Sequence, residues 1–271
     1  MALDARVVSD LRMASDNSAL VLLHGILMSG NAWQDVVPLL SSHHQVYTLT
    51  TAGHRGGPPV QRCPATVSDL VDAAECYLDE RGLERPHLAG LSLGGWMAIE
   101  LARRGRAATV CALAPAGFWS AGDSAQSHVK SQVRKFVAMG RFARPVRPVA
   151  ALAMKSATVR RLGLRNAACH ADRITAAQSL ELLDDIIGCT VNVDDLVGSS
   201  EQIAPLNPLP CPVTIAWSKN DAVVPVPACD EIARERVPQA SFIILPGVGH
   251  DPMVDDPDLV ARTILAVTGA G

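Results

Sequence analysis

The stretch Pro86-His-Leu-Ala-Gly90-Leu91-Ser92-Leu93-Gly94-Gly95-Trp-Met-Ala-Ile99 constrains the fold more than any other. A strand-like apolar run from Pro86 to Leu91 ends at a serine, and a helix-like run from Trp96 to Arg104 follows at once. Only a sharp turn joins two such elements with so little between them. Gly90 and Gly94 complete a G-x-S-x-G pattern, in which the serine is expected to sit in a strained, left-handed conformation. Glycine on either side lets strand and helix cross closely, because a Cβ there would obstruct the crossing. The helix adds backbone N–H groups and its positive dipole end beside the hydroxyl. The same letters also fit an ordinary βα turn capped by a serine, so the rest of the chain must decide.

The turn implies a sheet, and its other strands are legible. Ala19–Leu23 is a continuous apolar run, as in strands covered on both faces. Gln45–Thr50, Ala108–Pro115, Pro210–Trp217 and Ala240–Leu245 read as further strands, and Ala5–Met13 alternates weakly, as an antiparallel edge would. Between them, Asn31–Leu40 has a short helical pattern. Thr66 and Asp69 make a variant capping box ahead of Val67, Leu70, Val71, Ala74, Tyr77 and Leu78, and Gly82 closes that helix. Pro225–Val237 is helical, and Asp256-Pro257 opens a last helix. Strands alternating with helices predict an α/β fold: a mostly parallel central sheet with helices on both faces. From Phe118 to Ile203 the strand signal vanishes; Ser131–Arg144 is basic and amphipathic, Ala176–Ile187 acidic and Leu-rich. The expected organisation is a core over 1–117 and 206–271, interrupted by a helical cap over 118–205.

Composition narrows the class of function. A chain of 271 residues can bury one large core or two modest ones. With 48% hydrophobic and 19% charged residues it reads as a globular protein, and a net charge of −3 argues against nucleic acid as a partner. The seven cysteines are scattered, odd in number and without C-x-x-C, which fits reduced thiols and a cytoplasmic setting. The first ten residues carry charges where a signal peptide needs an apolar core, and no apolar run has the length of a membrane span.

If Ser92 is a nucleophile, it needs a base and an acid that orients the base, each at the end of a later strand. Asp221, in Trp217-Ser-Lys-Asn-Asp221, follows one such strand; His250, in Gly247-Val-Gly-His250-Asp-Pro, follows the next. Open parallel sheets place their sites along this edge. Asp251, Asp255 and Asp256 come after His250 and fit loop and helix caps better than a triad acid. Of the remaining histidines, His24 and His54 read as structural hydrogen-bonders. His43, His44, His87, His128 and His170 lack companions at metal-ligand spacing.

These segments together resemble the capped, esterase-like serine hydrolases of the α/β-hydrolase superfamily. His24-Gly25 resembles the oxyanion-loop motif, Gly90–Gly94 the nucleophile elbow, Trp217–Pro225 the segment of the triad acid, and Leu245–Pro257 that of the triad histidine. The resemblance implies Ser92, His250 and Asp221 as a catalytic triad and the backbone N–H groups of Ile26 and Leu93 as an oxyanion hole. It implies hydrolysis of a small-molecule carboxylic ester or thioester through an acyl-enzyme, with no metal or organic cofactor. Leu27, Leu91, Phe118, Trp119, Val223, Val224 and Met253 flank the chemistry and are expected to line the pocket. One segment departs from the pattern. Many relatives carry Asp-x-Pro-Gly-His-Gly-x-Ser after the third strand, whereas this chain has Thr50-Thr-Ala-Gly-His-Arg-Gly-Gly57. A serine at 92 also weighs against the carboxylate nucleophile of dehalogenases and epoxide hydrolases. A cofactor-free peroxidase, a carbon–carbon hydrolase or lyase, and a triad-bearing ligand receptor are the alternatives on the same fold.

The insertion divides by charge. Ten cationic residues from Lys130 to Arg165 precede Glu181, Asp184, Asp185, Asp194 and Asp195. The plain expectation is solvated helices that pair with one another; the sharper readings are a site for an anionic substrate tail or a surface touching anionic lipid.

Overall fold

In the computed structural model, residues 18–198 and 200–271 are described, and the expected edge at Ala5–Met13 lies outside them. Six strands form one sheet: β1 (Ala19–Leu23), β2 (Gln45–Leu49), β3 (His87–Leu91), β4 (Val110–Leu113), β5 (Val213–Ser218) and β6 (Ser241–Leu245). Their order is β2-β1-β3-β4-β5-β6, and every neighbouring pair is parallel. The sheet grows outward from β1 in one direction and then in the other, so a crevice opens where β1 meets β3.

Alternation along the strands builds two cores. Leu20, Leu22, Ala89, Leu91 and Leu113 face one side of the sheet with Trp33, Val260 and Ile264; Val21, Leu23, Leu88 and Ile215 face the other. Nine helices of five or more residues accompany the sheet among the described residues. Two precede β4: α1 (Val67–Glu80) and α2 (Leu93–Arg103). Between β4 and β5 come α3 (Ser124–Ala143), α4 (Arg147–Ala153), α5 (Ala157–Gly163), α6 (Ala176–Gly188) and α7 (Val193–Val197). The chain ends with α8 (Val226–Arg236) and α9 (Pro257–Thr268). The capping box at α1 is formed: Thr66 Oγ1 accepts from Asp69 N at 3.1 Å, and Asp69 Oδ2 accepts from Thr66 N at 2.9 Å. No described helix is long and apolar enough to cross a membrane.

The helices between β4 and β5 differ from expectation in two respects. The basic helix starts at Ser124 behind an Asp123 cap, whose carboxylate accepts from Gln126 N at 2.8 Å. Its first half, poor in charge, hid the start. The acidic helix α6, moreover, pairs with the core as well as with its neighbours. The buried Asp185 carboxylate accepts from Ser29 Oγ at 2.7 Å and Arg55 Nε at 2.6 Å, and Glu181 accepts from Arg55 at 2.6 Å. Within the insertion, Arg134 pairs with Asp194 and Arg147 with Asp184. Arg55 lies in the segment that departs from the family pattern, and it ties that segment to α6.

Candidate active site

Ser92 follows β3 directly with φ 54° and ψ −112°. The φ is positive, as expected, but ψ lies outside the left-handed helical region. A non-glycine residue held there costs about 1–3 kcal/mol and persists only when its surroundings hold it. Here they do. Ser92 N–H donates to Leu113 O at 2.9 Å, and Ser92 O accepts from Trp96 N and Ala116 N at 3.0 Å each. A Cβ on Gly90 would run into the Gly94 carbonyl, and one on Gly94 into the Leu23 carbonyl, so both glycines are required by close backbone approach. Leu93 opens α2, where the first N–H groups of a helix have no intrahelical acceptor.

Asp221 and His250 sit in the turns after β5 and β6. Asp221 Oδ1 accepts from the N–H groups of Val223 and Val224 at 2.8 Å each, and Oδ2 is 2.8 Å from His250 Nδ1. Two backbone donors therefore fix the carboxylate, and the carboxylate fixes the ring. Burial presses the His250 imidazole toward its neutral form, but the charge and hydrogen bond of Asp221, together with Asp251, outweigh it and raise its pKa. Asp255 and Asp256 are caps, as expected: Asp255 accepts from the N–H groups of Gly249, Cys169 and His170, and Asp256 from Leu259 N. Asp251 stands at the N-cap of the short turn Pro252–Asp255, but its side chain makes no cap hydrogen bond. Its buried Oδ1 has no hydrogen-bond partner, and the residue lines the same cavity as Ser92 and His250.

Burial, with the nearby charges of Asp221 and Asp255, pushes the Asp251 carboxyl up to about 7, against the lowering effect of His250. A carboxyl raised in the folded state favours folding only while protonated, so stability declines as pH climbs from the ordinary carboxylate range through 7. Asp251→Asn removes that charge without changing shape. The Tm of the variant minus that of the wild type should be larger at pH 8 than at pH 5, by more than about 3 °C. Equal differences at the two pH values would contradict the buried, unpartnered carboxyl.

The loop after β1 completes the site. His24 is fully buried; its Nδ1 donates to Gly25 O at 2.8 Å and its Nε2 accepts from Thr51 N at 2.9 Å. Burial, and then the neighbouring His54, lower its pKa to about 3, so it is neutral and structural. It ties the β1 loop to the β2 loop. Leu27 in this loop has φ 65°, and the described non-glycine residues with positive φ are Leu27, Ser92 and Ala114, each just beyond a strand end.

Ser92, His250 and Asp251 line a cavity of about 70 Å³ whose remaining walls are apolar. Ile26, Leu27, Leu91, Leu93, Trp119 and Val223 line it. Phe118, Val224 and Met253 do not. Phe118 turns into the core, edge-on to Trp217 with ring centroids 6.3 Å apart. Val224 is fully buried in the same core, and Met253 packs on the other face of the sheet with Val248 and Val260. Sequence reasoning missed the far wall: Val129, Val133 and Phe136 of α3, and Leu182 and Ile186 of α6. Their spacing of three and four residues, which marks one helical face, was the available signal. Among the described residues no group of three or more His, Cys, Asp or Glu is placed to hold a metal ion.

Comparison with known proteins shows the family. Residues 20–263 match the alpha/beta hydrolase family. The chain belongs to that family. This alpha/beta hydrolase is 29% identical over 198 residues to the epoxide hydrolase EphH of Mycobacterium tuberculosis, covering 72% of this chain and 91% of that one. It is 26% identical over 245 residues to the pimeloyl-[acyl-carrier protein] methyl ester esterase of Aeromonas hydrophila, covering 88% and 90%. Among solved structures, a thermophilic esterase from Thermogutta terrifontis superposes with a TM-score of 0.68 at 20% identity, over 92% of this chain and 88% of the other. That likeness concerns the fold.

Proposed function

We propose that this alpha/beta hydrolase cleaves a carboxylic ester or thioester through an acyl-enzyme on Ser92. The observation that carries the reading is the 2.8 Å bond from His250 Nδ1 to Asp221 beside a cavity that Ser92 lines. With Nδ1 committed to the carboxylate, the other ring nitrogen is the one available to the serine. His250 takes the Ser92 proton as Oγ attacks the carbonyl carbon, and the imidazolium is stabilised by Asp221. The N–H groups of Ile26 and Leu93 stabilise the oxyanion, at about 3–4 kcal/mol per donor. On collapse the C–O or C–S bond breaks and His250 protonates the leaving group. Water, activated by the same ring, then releases the acid. In unliganded enzymes the bond between nucleophile and base is often long and closes with substrate.

The name of the mycobacterial relative suggests a second substrate class, and the residue at 92 argues against it. An alkoxide opening an epoxide would leave an ether, which the same histidine cannot hydrolyse, whereas a carboxylate nucleophile would leave a cleavable ester. Position 92 is serine. The pimeloyl methyl ester esterase supports the ester reading, and the helices α3, α6 and α7 would act as a cap that closes over the acyl group.

Substrate length tests the pocket. Each methylene buried in an apolar wall gains about 0.8 kcal/mol, so kcat/KM on aryl esters, and on matching acyl-CoA thioesters, should climb about fourfold per carbon until the space is full. Val133→Phe should move that optimum to shorter chains by occupying the wall from α3. A flat profile from acetyl to decanoyl, or an optimum unmoved in Val133→Phe, would contradict the assignment.

A further inference from the structure

The insertion carries a surface that the chemistry at Ser92 does not use. From Arg141 to Gly163, spanning the end of α3, α4 and α5, no residue is buried. Of the nine large hydrophobic side chains exposed among the described residues, six lie here: Phe142 (81% exposed), Val146, Val149, Leu152, Val159 and Leu162. A single exposed aliphatic group is ordinary, but a run of six in one excursion marks a surface that something covers. The same segment is strongly cationic. Arg141, Arg144, Arg147, Lys155, Arg160, Arg161 and Arg165 lie between positions 141 and 165, with no Asp or Glu among them, in a chain whose net charge is −3. Arg147 is engaged by Asp184, and Arg160 donates to the carbonyls of Met154, Lys155 and Asp172; these contacts hold the excursion in place.

The chemistry of the patch selects its occupant. A second copy of the chain would set this cationic surface against itself, and like charges across an interface oppose association. Nucleic acid would meet the cations and leave Phe142, Leu152 and Leu162 in water. A specific protein partner is recognised through hydrogen bonds as well as apolar contact, yet between 141 and 163 the uncharged polar side chains are Ser156 and Thr158 alone. Basic side chains interleaved with aliphatic ones, and little else, match the boundary between anionic headgroups and acyl chains.

We propose that residues 141–165 dock the protein on the surface of an anionic phospholipid bilayer. Phe142, Leu152 and Leu162 enter the headgroup–acyl boundary, and Arg141, Arg144, Arg161 and Arg165, which no carboxylate among the described residues engages, meet the lipid phosphates. The segment leads directly into Leu164 and Ala167, two residues that line the cavity holding Ser92, so docking sets the lipid beside a wall of the catalytic pocket. The surface argument stands on charge and exposure alone and does not depend on the ester reading.

Co-sedimentation with vesicles decides the matter. At low salt the full-length protein should pellet with equimolar phosphatidylglycerol–phosphatidylcholine vesicles, remain in solution with phosphatidylcholine alone, and be released by added salt. Each cation near such a surface contributes roughly fivefold to partitioning. Replacing Arg141, Arg144, Arg161 and Arg165 together by Gln should therefore reduce it at least about 100-fold. The variant Phe142→Ser/Leu152→Ser/Leu162→Ser, whose side chains are already in water, should melt like the wild type and lose at least about tenfold. Absence of the wild type from the anionic pellet would overturn the proposal, as would equal partitioning of well-folded variants. So would light scattering that shows a dimer broken by the same three serines, since a second copy would then be what covers the patch.

Discussion

Ser92→Ala should reduce kcat on an activated ester by on the order of 10⁴- to 10⁶-fold while the protein keeps its fold. The side chain touches the reacting atoms, whereas the turn that holds it is made by its backbone: Ser92 N–H to Leu113 O and Ser92 O to Trp96 N and Ala116 N. Alanine keeps all three bonds, so a melting temperature within a few degrees of wild type is expected. His250→Ala should cost about as much. Because the two residues move one proton between them, the double variant should be no worse than either single one. Losses that multiply in the double variant would mean that the residues act separately. Hydrolysis undiminished in Ser92→Ala would place the chemistry elsewhere.

Asp221→Asn should give a folded protein with kcat lower by roughly 10⁴-fold. The asparagine oxygen can still accept from Val223 N and Val224 N, so the turn after β5 survives. What changes is the atom facing His250. An amide N–H₂ in place of Oδ2 asks His250 Nδ1 to be the acceptor, which puts the ring proton on the nitrogen that should take the serine's. The charge that raises the His250 pKa is lost as well, so the acid limb of the pH–rate profile should move to lower pH. Turnover near wild type would hand the role to another carboxylate, and Asp251 in the same cavity is the one to examine next.

The parts legible in the sequence were those set by local pattern. Ala19–Leu23 had to be a covered strand because all its side chains are apolar, and two glycines around Ser92 had to mark a close crossing. Asp221 and His250 could be placed because each follows a strand by a few residues, and parallel strands bring such ends to one edge. What pattern could not supply was the direction of a side chain in an irregular segment. Phe118 and Trp119 are neighbours, yet Trp119 faces the cavity, edge-on to Trp96, while Phe118 meets Trp217. Val223 and Val224 diverge in the same way, because the Asp221 carboxylate binds both of their N–H groups and fixes the turn. Asp251 was hidden for another reason. Next to a histidine and a proline it looks like a cap, and only the fold shows that no N–H group reaches its Oδ1. The clamp of Asp185 and Glu181 on Arg55 joins residues 126 to 130 positions apart, a pairing that no local rule anticipates.

The central claim is a covalent bond to one hydroxyl. A fluorophosphonate probe incubated with the protein should add the mass of a single adduct, map to the peptide that contains Ser92, and leave Ser92→Ala unmodified. An adduct on any other residue, or equal labelling of Ser92→Ala, would contradict the account.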